Sequence, residues 1–370
     1  MCSLCPLWLT FVSPFLVSFA PFVVRIVFVE RRELKMNFTF LVAISLLFLV
    51  SSWLDTEVRA QQDDLVAKAQ KERALVVTGT ALASQGERYL KAFKERYPFL
   101  NTTYSRASGE SLTSKLLAEA TAGQLGVDVI LINNYTHRIF MKRNIIVPYL
   151  TSAAKTFPAG LADPNGHWIG FYIVPYAIEY NTRMVDKSEI PKSFDDLLHS
   201  RWKGRMSLEQ EEYLVTQAHL AYLGKDKAVD YFRKLARQDL RLVKGHSQQT
   251  VLLSAGEFAL NVYNDIARTE EYRKKGAPVA WVDVEPHITV VVAAAMTRTG
   301  RNPNAAKLFL DFVASDAGQK EVLAMEKPPA LPKYRQDFLK GVQLYPADWS
   351  LSDSFDEHNK LFREIFWQSK

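Results

Sequence analysis

The sequence predicts an α/β protein of two lobes, and three observations carry that prediction. Residues 74–132 alternate short apolar runs with helically spaced ones, the succession of a parallel sheet covered on both faces. Residues 206–282 repeat it. Two extended stretches, 171–180 and 288–295, stand between and after these units, and their aromatic and β-branched side chains suit a buried pleated surface. Two crossings leave the first lobe discontinuous and allow the lobes to hinge. The expected organisation is a leader at 1–60, a first lobe at 61–172, a second at 173–287, and a return to the first lobe with C-terminal helices at 288–370.

Each element has its own signal. Ala74-Leu75-Val76-Val77 is a continuous apolar run of the kind found in buried parallel strands. Thr78-Gly79-Thr80 ends it, and Ser84 is placed to cap a helix carrying Tyr89, Leu90 and Phe93 on one face. Residues 101–104 read as a second strand and 127–132 as a third, with Leu112, Leu116, Leu117 and Ala120 at helical spacing between them. Pro175 interrupts the first crossing; lacking an N–H, it belongs at an edge, a bend or a crossing rather than inside a central strand. Ser193 opens a short helix that stops by Gly204. Residues 206–208, 240–243, 258–262 and 279–282 read as strands, with helices at 213–223, 225–236, 248–255 and 266–275. Asn302 and Pro303 begin a helix whose buried stripe is Ala305, Leu308, Phe309, Phe312 and Val313, and 352–367 form a last helix with an apolar face.

A chain of 370 residues with 48% hydrophobic content is ample for two cores. The net charge of +6 is interspersed, with no block of like charges of the kind that makes a nucleic-acid arm. Both cysteines, Cys2 and Cys5, lie in the first five residues, which removes disulfides, Cys-ligated metals and thiol nucleophiles from the rest. The apolar run 38–54 follows a basic flank and leads to Val58-Arg59-Ala60, the small-residue pattern of a secretory cleavage site, so the mature chain is expected to start at Gln61. On that reading Met36 is the initiator and residues 1–35 lie upstream of it; a retained membrane anchor is the alternative.

Tyr180-Asn181-Thr182, Pro191-Lys192-Ser193-Phe194-Asp195-Asp196-Leu197-Leu198 and Arg201-Trp202-Lys203-Gly204-Arg205 resemble the interlobe region of bacterial extracellular solute-binding proteins of ABC importers. The branch most similar includes the periplasmic ferric-ion-binding proteins. Asn302-Pro303-Asn304-Ala305-Ala306-Lys307-Leu308-Phe309 and Ser315-Asp316-Ala317-Gly318-Gln319 resemble that family's C-terminal helix pair. The resemblance implies a type II periplasmic-binding fold, in which each lobe is a mainly parallel sheet flanked by helices and two hinge strands cross between them. It further implies a periplasmic or otherwise extracytoplasmic monomer that closes on a small solute, delivers it to a membrane permease, and has no cofactor or catalysis of its own.

Open α/β sheets bind ligands at the carboxyl ends of their strands. There the first lobe offers Thr78, Thr80, Arg106, Ser108, Gly109, Asn133 and Asn134, and helix starts in these loops favour an anion or a polar group. Ser84, Ser108 and Ser111 read equally as plain helix caps. The second lobe offers Tyr263, Asn264 and Arg268, and the first crossing offers Tyr176. Neutral hydrogen-bonding groups with one or two arginines suit a small polar or anionic solute.

The alternative implied by the resemblance is a ferric-ion carrier. In those relatives the place of Tyr263-Asn264 carries two adjacent tyrosines, and the family's histidine and glutamate fall near Ala81 and at Asn133. With three of four donors replaced, no metal is expected; a ferric site would have to use Tyr263 with Tyr135, Tyr172 or Tyr176. The seven histidines include no pair at zinc-ligand spacing. A secreted enzyme on the same scaffold is the last alternative. Ser152-Ala153-Ala154-Lys155 fits S-x-x-K without its partner motifs, and a porphobilinogen-deaminase-like transferase needs a cysteine for its cofactor.

Overall fold

The computed structural model describes residues 61–367. The expected leader, its cleavage after Ala60, and both cysteines lie outside the described residues. In the first lobe β1 (Ala74–Gly79) runs parallel between β2 (Asn101–Arg106) and β3 (Val129–Asn133). Helices α1 (Ala83–Arg96) and α2 (Gly109–Thr121) connect them, and α3 (Asn134–Lys142) leaves β3. Burial of Tyr89, Leu90 and Phe93 on α1 follows the 3.6-residue spacing. That helix starts with Leu82 in the N-cap place, so Ser84 sits inside its first turn and does not cap it.

The pivot is β5 (Ile169–Asn181). As far as Pro175 it pairs antiparallel with β10 (His287–Thr297), which is itself antiparallel to β3. From Tyr176 onward it pairs instead with β8 (Leu260–Asp265) and β9 (Val279–Val282). Pro175 therefore stands where the strand exchanges partners, a place that tolerates a residue without an N–H. Short strands β4 (Ile146–Val147) and β11 (Leu344–Pro346) extend the sheet along β10.

In the second lobe β6 (Met206–Glu209) lies parallel between β7 (Arg241–Val243) and β8. Its helices are α4 (Tyr213–Leu223), α5 (Lys225–Ala236), α6 (His246–Ala255) and α7 (Ile266–Lys274). Past β10, α8 (Pro303–Ala314) and α9 (Asp316–Ala324) return to the first lobe, where Phe309 and Phe312 meet Tyr89 and Phe93 with ring centroids 5.2 to 5.8 Å apart.

Asn302 holds the N-cap place of α8 but makes no capping side-chain bond; its amide nitrogen donates to Asp128 at 2.9 Å. The carboxylate of Glu72 takes that role, accepting from the backbone of Asn304 and Ala305 at 3.0 and 2.8 Å, the favourable placement of negative charge at a helix start. The last helix, α10 (Phe355–Phe366), packs on the second lobe, with Phe362 against Tyr213 and Phe366 against Phe232. No helix among the described residues is long and apolar enough to cross a membrane.

Candidate functional site

Tyr172 and Tyr176 are four residues apart on β5, a spacing that puts both side chains on one face of the strand. The Thr80 side chain, just beyond β1, lies close enough to the Tyr172 hydroxyl to act on its ionisation. Facing Tyr172 are Asp265 at the end of β8 and Arg268 in the first turn of α7, near enough to act on its ionisation in opposite senses. Tyr176 packs edge-on to His246, with ring centroids 5.2 Å apart. His246 opens α6, and its Nε2 is 3.3 Å from Oε2 of Glu212, the residue before α4. In the same loop Glu209 accepts from the backbone N–H of Gly245 at 2.9 Å. Phenols from the crossing strand thus meet carboxylates, an imidazole and a guanidinium from the second lobe.

Burial dominates the ionisation of this cluster. It pushes the Tyr172 hydroxyl up to about 12. Burial, reinforced by Glu209, lifts the Glu212 carboxyl well above the usual range, and burial lowers the His246 imidazole against the opposing pull of Asp265. Both shifts oppose charge on groups taken out of water, and an opposite charge placed beside either group would reverse its shift. Beside the 209–213 loop lies a cavity of about 270 Å³ lined by Gly109, Asn133, Tyr135, Glu211 and Tyr213. Among the described residues no three carboxylate, imidazole or thiol groups converge so as to hold a metal ion.

The structure sorts the residues singled out from the sequence. Thr80, Tyr176 and Arg268 join the cluster, Arg106 lies near Tyr104 beside Tyr172, and Gly109, Asn133 and Tyr135 line the adjoining cavity. Ser108 is the N-cap residue of α2, without a capping side-chain bond, and Asn133 caps α3 by accepting from the backbone of Thr136.

Four others are committed elsewhere. Thr78 is buried within the sheet, exchanging hydrogen bonds with Ser105. Asn134 donates to the Ala347 carbonyl and borders a different cavity, with Trp168 and Trp349. Tyr263 lies in the core of the second lobe, its hydroxyl 2.6 Å from His219 Nδ1 and its ring against Phe194, so its phenol is withdrawn from any site in the cleft. Asn264 is buried with its amide donating to Glu179 and Thr250.

Glu209, Glu212, His246 and Asp265 were not anticipated. The available signal was position: Glu209-Gln210-Glu211-Glu212 and Asp265 come directly at the carboxyl ends of β6 and β8.

A family model for bacterial extracellular solute-binding proteins matches residues 126–352. A relative described as an Fe(3+)-binding periplasmic protein, from Serratia marcescens, is 21% identical over 238 residues, which is 60% of this chain and 68% of that protein. Among solved structures, the periplasmic binding protein AfuA from Actinobacillus pleuropneumoniae, with exogenous fructose-6-phosphate bound, superposes with a TM-score of 0.68 at 20% identity, covering 80% of this chain and 99% of that one. Iron-bound HitA from Pseudomonas aeruginosa gives a TM-score of 0.67 at 18% identity, with 79% and 99% covered. These likenesses show a shared two-lobed, type II binding-protein fold, with β5 and β10 passing between the sheets. Because the family model takes in well over half of the chain, the chain belongs to the bacterial extracellular solute-binding proteins.

Proposed function

We propose that this protein is the extracytoplasmic receptor of an ABC importer, working in the periplasm. It captures a small polar solute between its lobes, passes it to a membrane permease, and performs no chemistry on it. The observation that carries this reading is the convergence of buried and half-buried polar groups around one gap: Thr80, Tyr172 and Tyr176 meet Glu212, His246, Asp265 and Arg268. Polar groups buried together need partners, and a solute held between closing lobes supplies them. Its hydrogen-bond donors would face the acids of the second lobe, and an anionic substituent would meet Arg268 and the start of α2.

A thermal-shift screen of the purified protein against small carboxylates, sugar phosphates, amines and ferric salts tests this. A solute at about 100 times its dissociation constant adds about 2.7 kcal/mol to stability. Small-angle scattering should then report a more compact molecule. A solute that stabilises the protein without compaction, and whose affinity is unchanged in Tyr176→Ala, would refute binding in the cleft.

A ferric ion is a second reading, favoured by the approach of Tyr172, Tyr176, His246 and Glu212, since phenolate, carboxylate and imidazole suit hard or borderline metals. Relatives of this chain carry that description. Addition of ferric salt should then give a visible phenolate charge-transfer band that is lost in Tyr176→Phe; a colourless titration removes iron from consideration.

A further inference from the structure

A single file of buried hydrogen bonds runs beneath the cleft, from the crossing strand to His246. Glu179 on β5 is wholly buried, and its Oε2 accepts from Asn261 Nδ2 at 2.6 Å. This leaves Asn261 Oδ1 as an acceptor, and Ser207 donates its one hydroxyl proton there. Ser207 Oγ in turn accepts from Gln249 Nε2 at 3.1 Å. Gln249 therefore turns Oε1 toward His246 Nδ1, 3.2 Å away. An amide has one donor end and one acceptor end, and a hydroxyl has one proton, so every link points the same way and the hydrogen must sit on Nδ1. The neutral ring then keeps its lone pair on Nε2, 3.3 Å from Glu212 Oε2, a buried oxygen with no hydrogen-bond partner.

We propose that Glu179, Asn261, Ser207 and Gln249 are positioning residues that lock the His246 tautomer, so that Nε2 and Glu212 form a paired acceptor for an ammonium or guanidinium group on the cargo. The cargo half of this inference rests on the receptor reading above; the tautomer half does not. Two acceptors 3.3 Å apart match two N–H donors of one cationic head. His246 keeps 26% of its side chain accessible and Glu212 keeps 5%, so the pair borders the gap without being open solvent.

The charged and titratable groups around it are Glu209 and Glu211 in its own loop, Asp265 at the end of β8, Arg268 in the first turn of α7, Lys244 before α6, and Tyr176 on β5. Acids outnumber bases there, and the Tyr176 ring adds a surface that attracts cations. An anionic head group placed on this side would meet an unpaired carboxyl oxygen and a bare lone pair.

Nitrogen-15 NMR of the purified protein labelled at histidine reads the tautomer without any ligand. His246 should show hydrogen on Nδ1, Ser207→Ala should mix the two tautomers, and Ser207→Thr, which restores the hydroxyl, should recover the wild-type signature. An Nε2–H tautomer in the wild type overturns the relay, and so does a signature unmoved in a folded Ser207→Ala. If Ser207→Ala does not fold, the wild-type spectrum decides.

For the cargo, putrescine and agmatine should raise the melting midpoint. Glu212→Gln should weaken their binding by about 10- to 100-fold, the loss expected for a hydrogen bond to a charged group, while leaving the His246 tautomer as it was. If fructose 6-phosphate or ferric ion binds and neither amine does, the receptor stands and the amine assignment falls. If no amine shifts the midpoint at all, the assignment falls equally.

Discussion

Glu179→Gln separates the electrostatic cost of the crossing strand from its hydrogen bonding. The Glu179 carboxylate accepts from Asn261 and Asn264, each at 2.6 Å, yet its other oxygen has no partner. Burial outweighs these bonds and pushes the carboxyl from an ordinary 4.5 up to about 7. Between those values the folded protein holds a proton that the unfolded chain has released, so this group makes stability fall as pH rises through the window and level off above it. At about 1.4 kcal/mol per pH unit, the loss between 4.5 and about 7 amounts to about 3 kcal/mol. Glutamine keeps an acceptor for the two asparagine amides and carries no charge, so the variant should lose this slope. Urea unfolding followed by circular dichroism at fixed pH values across the window measures it. The stability of Glu179→Gln relative to wild type should rise by about 3 kcal/mol from the acid to the alkaline end. Parallel stability curves for the two proteins would refute the reasoning.

Tyr263→Phe should cost about 1 to 3 kcal/mol by leaving His219 unpaired in the core, while solute and ferric titrations remain those of the wild type; weakened binding would return Tyr263 to the site. Gly318→Ala places a Cβ 1.9 Å from the Phe312 carbonyl oxygen, and overpacking of this kind should lower stability by about 1 to 3 kcal/mol, read as a drop in urea midpoint. Glu72→Ala removes the acceptor for the first N–H groups of α8 and should cost about 1 to 2 kcal/mol, with hydrogen exchange rising first at Asn304 and Ala305.

Much of the fold could be read from the sequence because its signals are local. The run of residues 74–77, the helix at 213–223 and the Asn302-Pro303 start all depend on spacing within one element, and the structure places them where that spacing says. Pro175 was informative for the same reason: a missing N–H restricts where a chain can run. The site was less legible, because where a side chain points at a strand's end is not a local signal. Asn264 lies one position before Asp265, so alternation turns it to the opposite buried surface, and Thr78 lies two positions before Thr80, still inside the strand and tied to Ser105 of β2. Only the residue at the strand's end or beyond it reaches the gap. His246 and Glu212 are far apart in the chain, so no search for local ligand spacing brings them together.

The acids of the 209–212 loop expose the deeper limit. In a sequence a glutamate reads as solvated surface, because charged side chains are almost never fully buried without a partner. Glu212 is buried and has an oxygen with no hydrogen-bond partner, an arrangement that costs free energy as it stands. Thr80 and Tyr172 on the first-lobe side, with Tyr176 on the crossing strand, bring neutral hydroxyls to the gap, and the cation against Tyr172, Lys327, lies over its ring with Nζ 5.8 Å from the centroid. Closure therefore leaves the acids of this loop without a cation facing them from these groups unless something between the lobes supplies one. A cargo that does so binds the closed form better than the open one, and that difference in affinity is what shifts the equilibrium toward closure. Capture and closure are then one equilibrium, governed by a loop whose composition alone suggests only solvent.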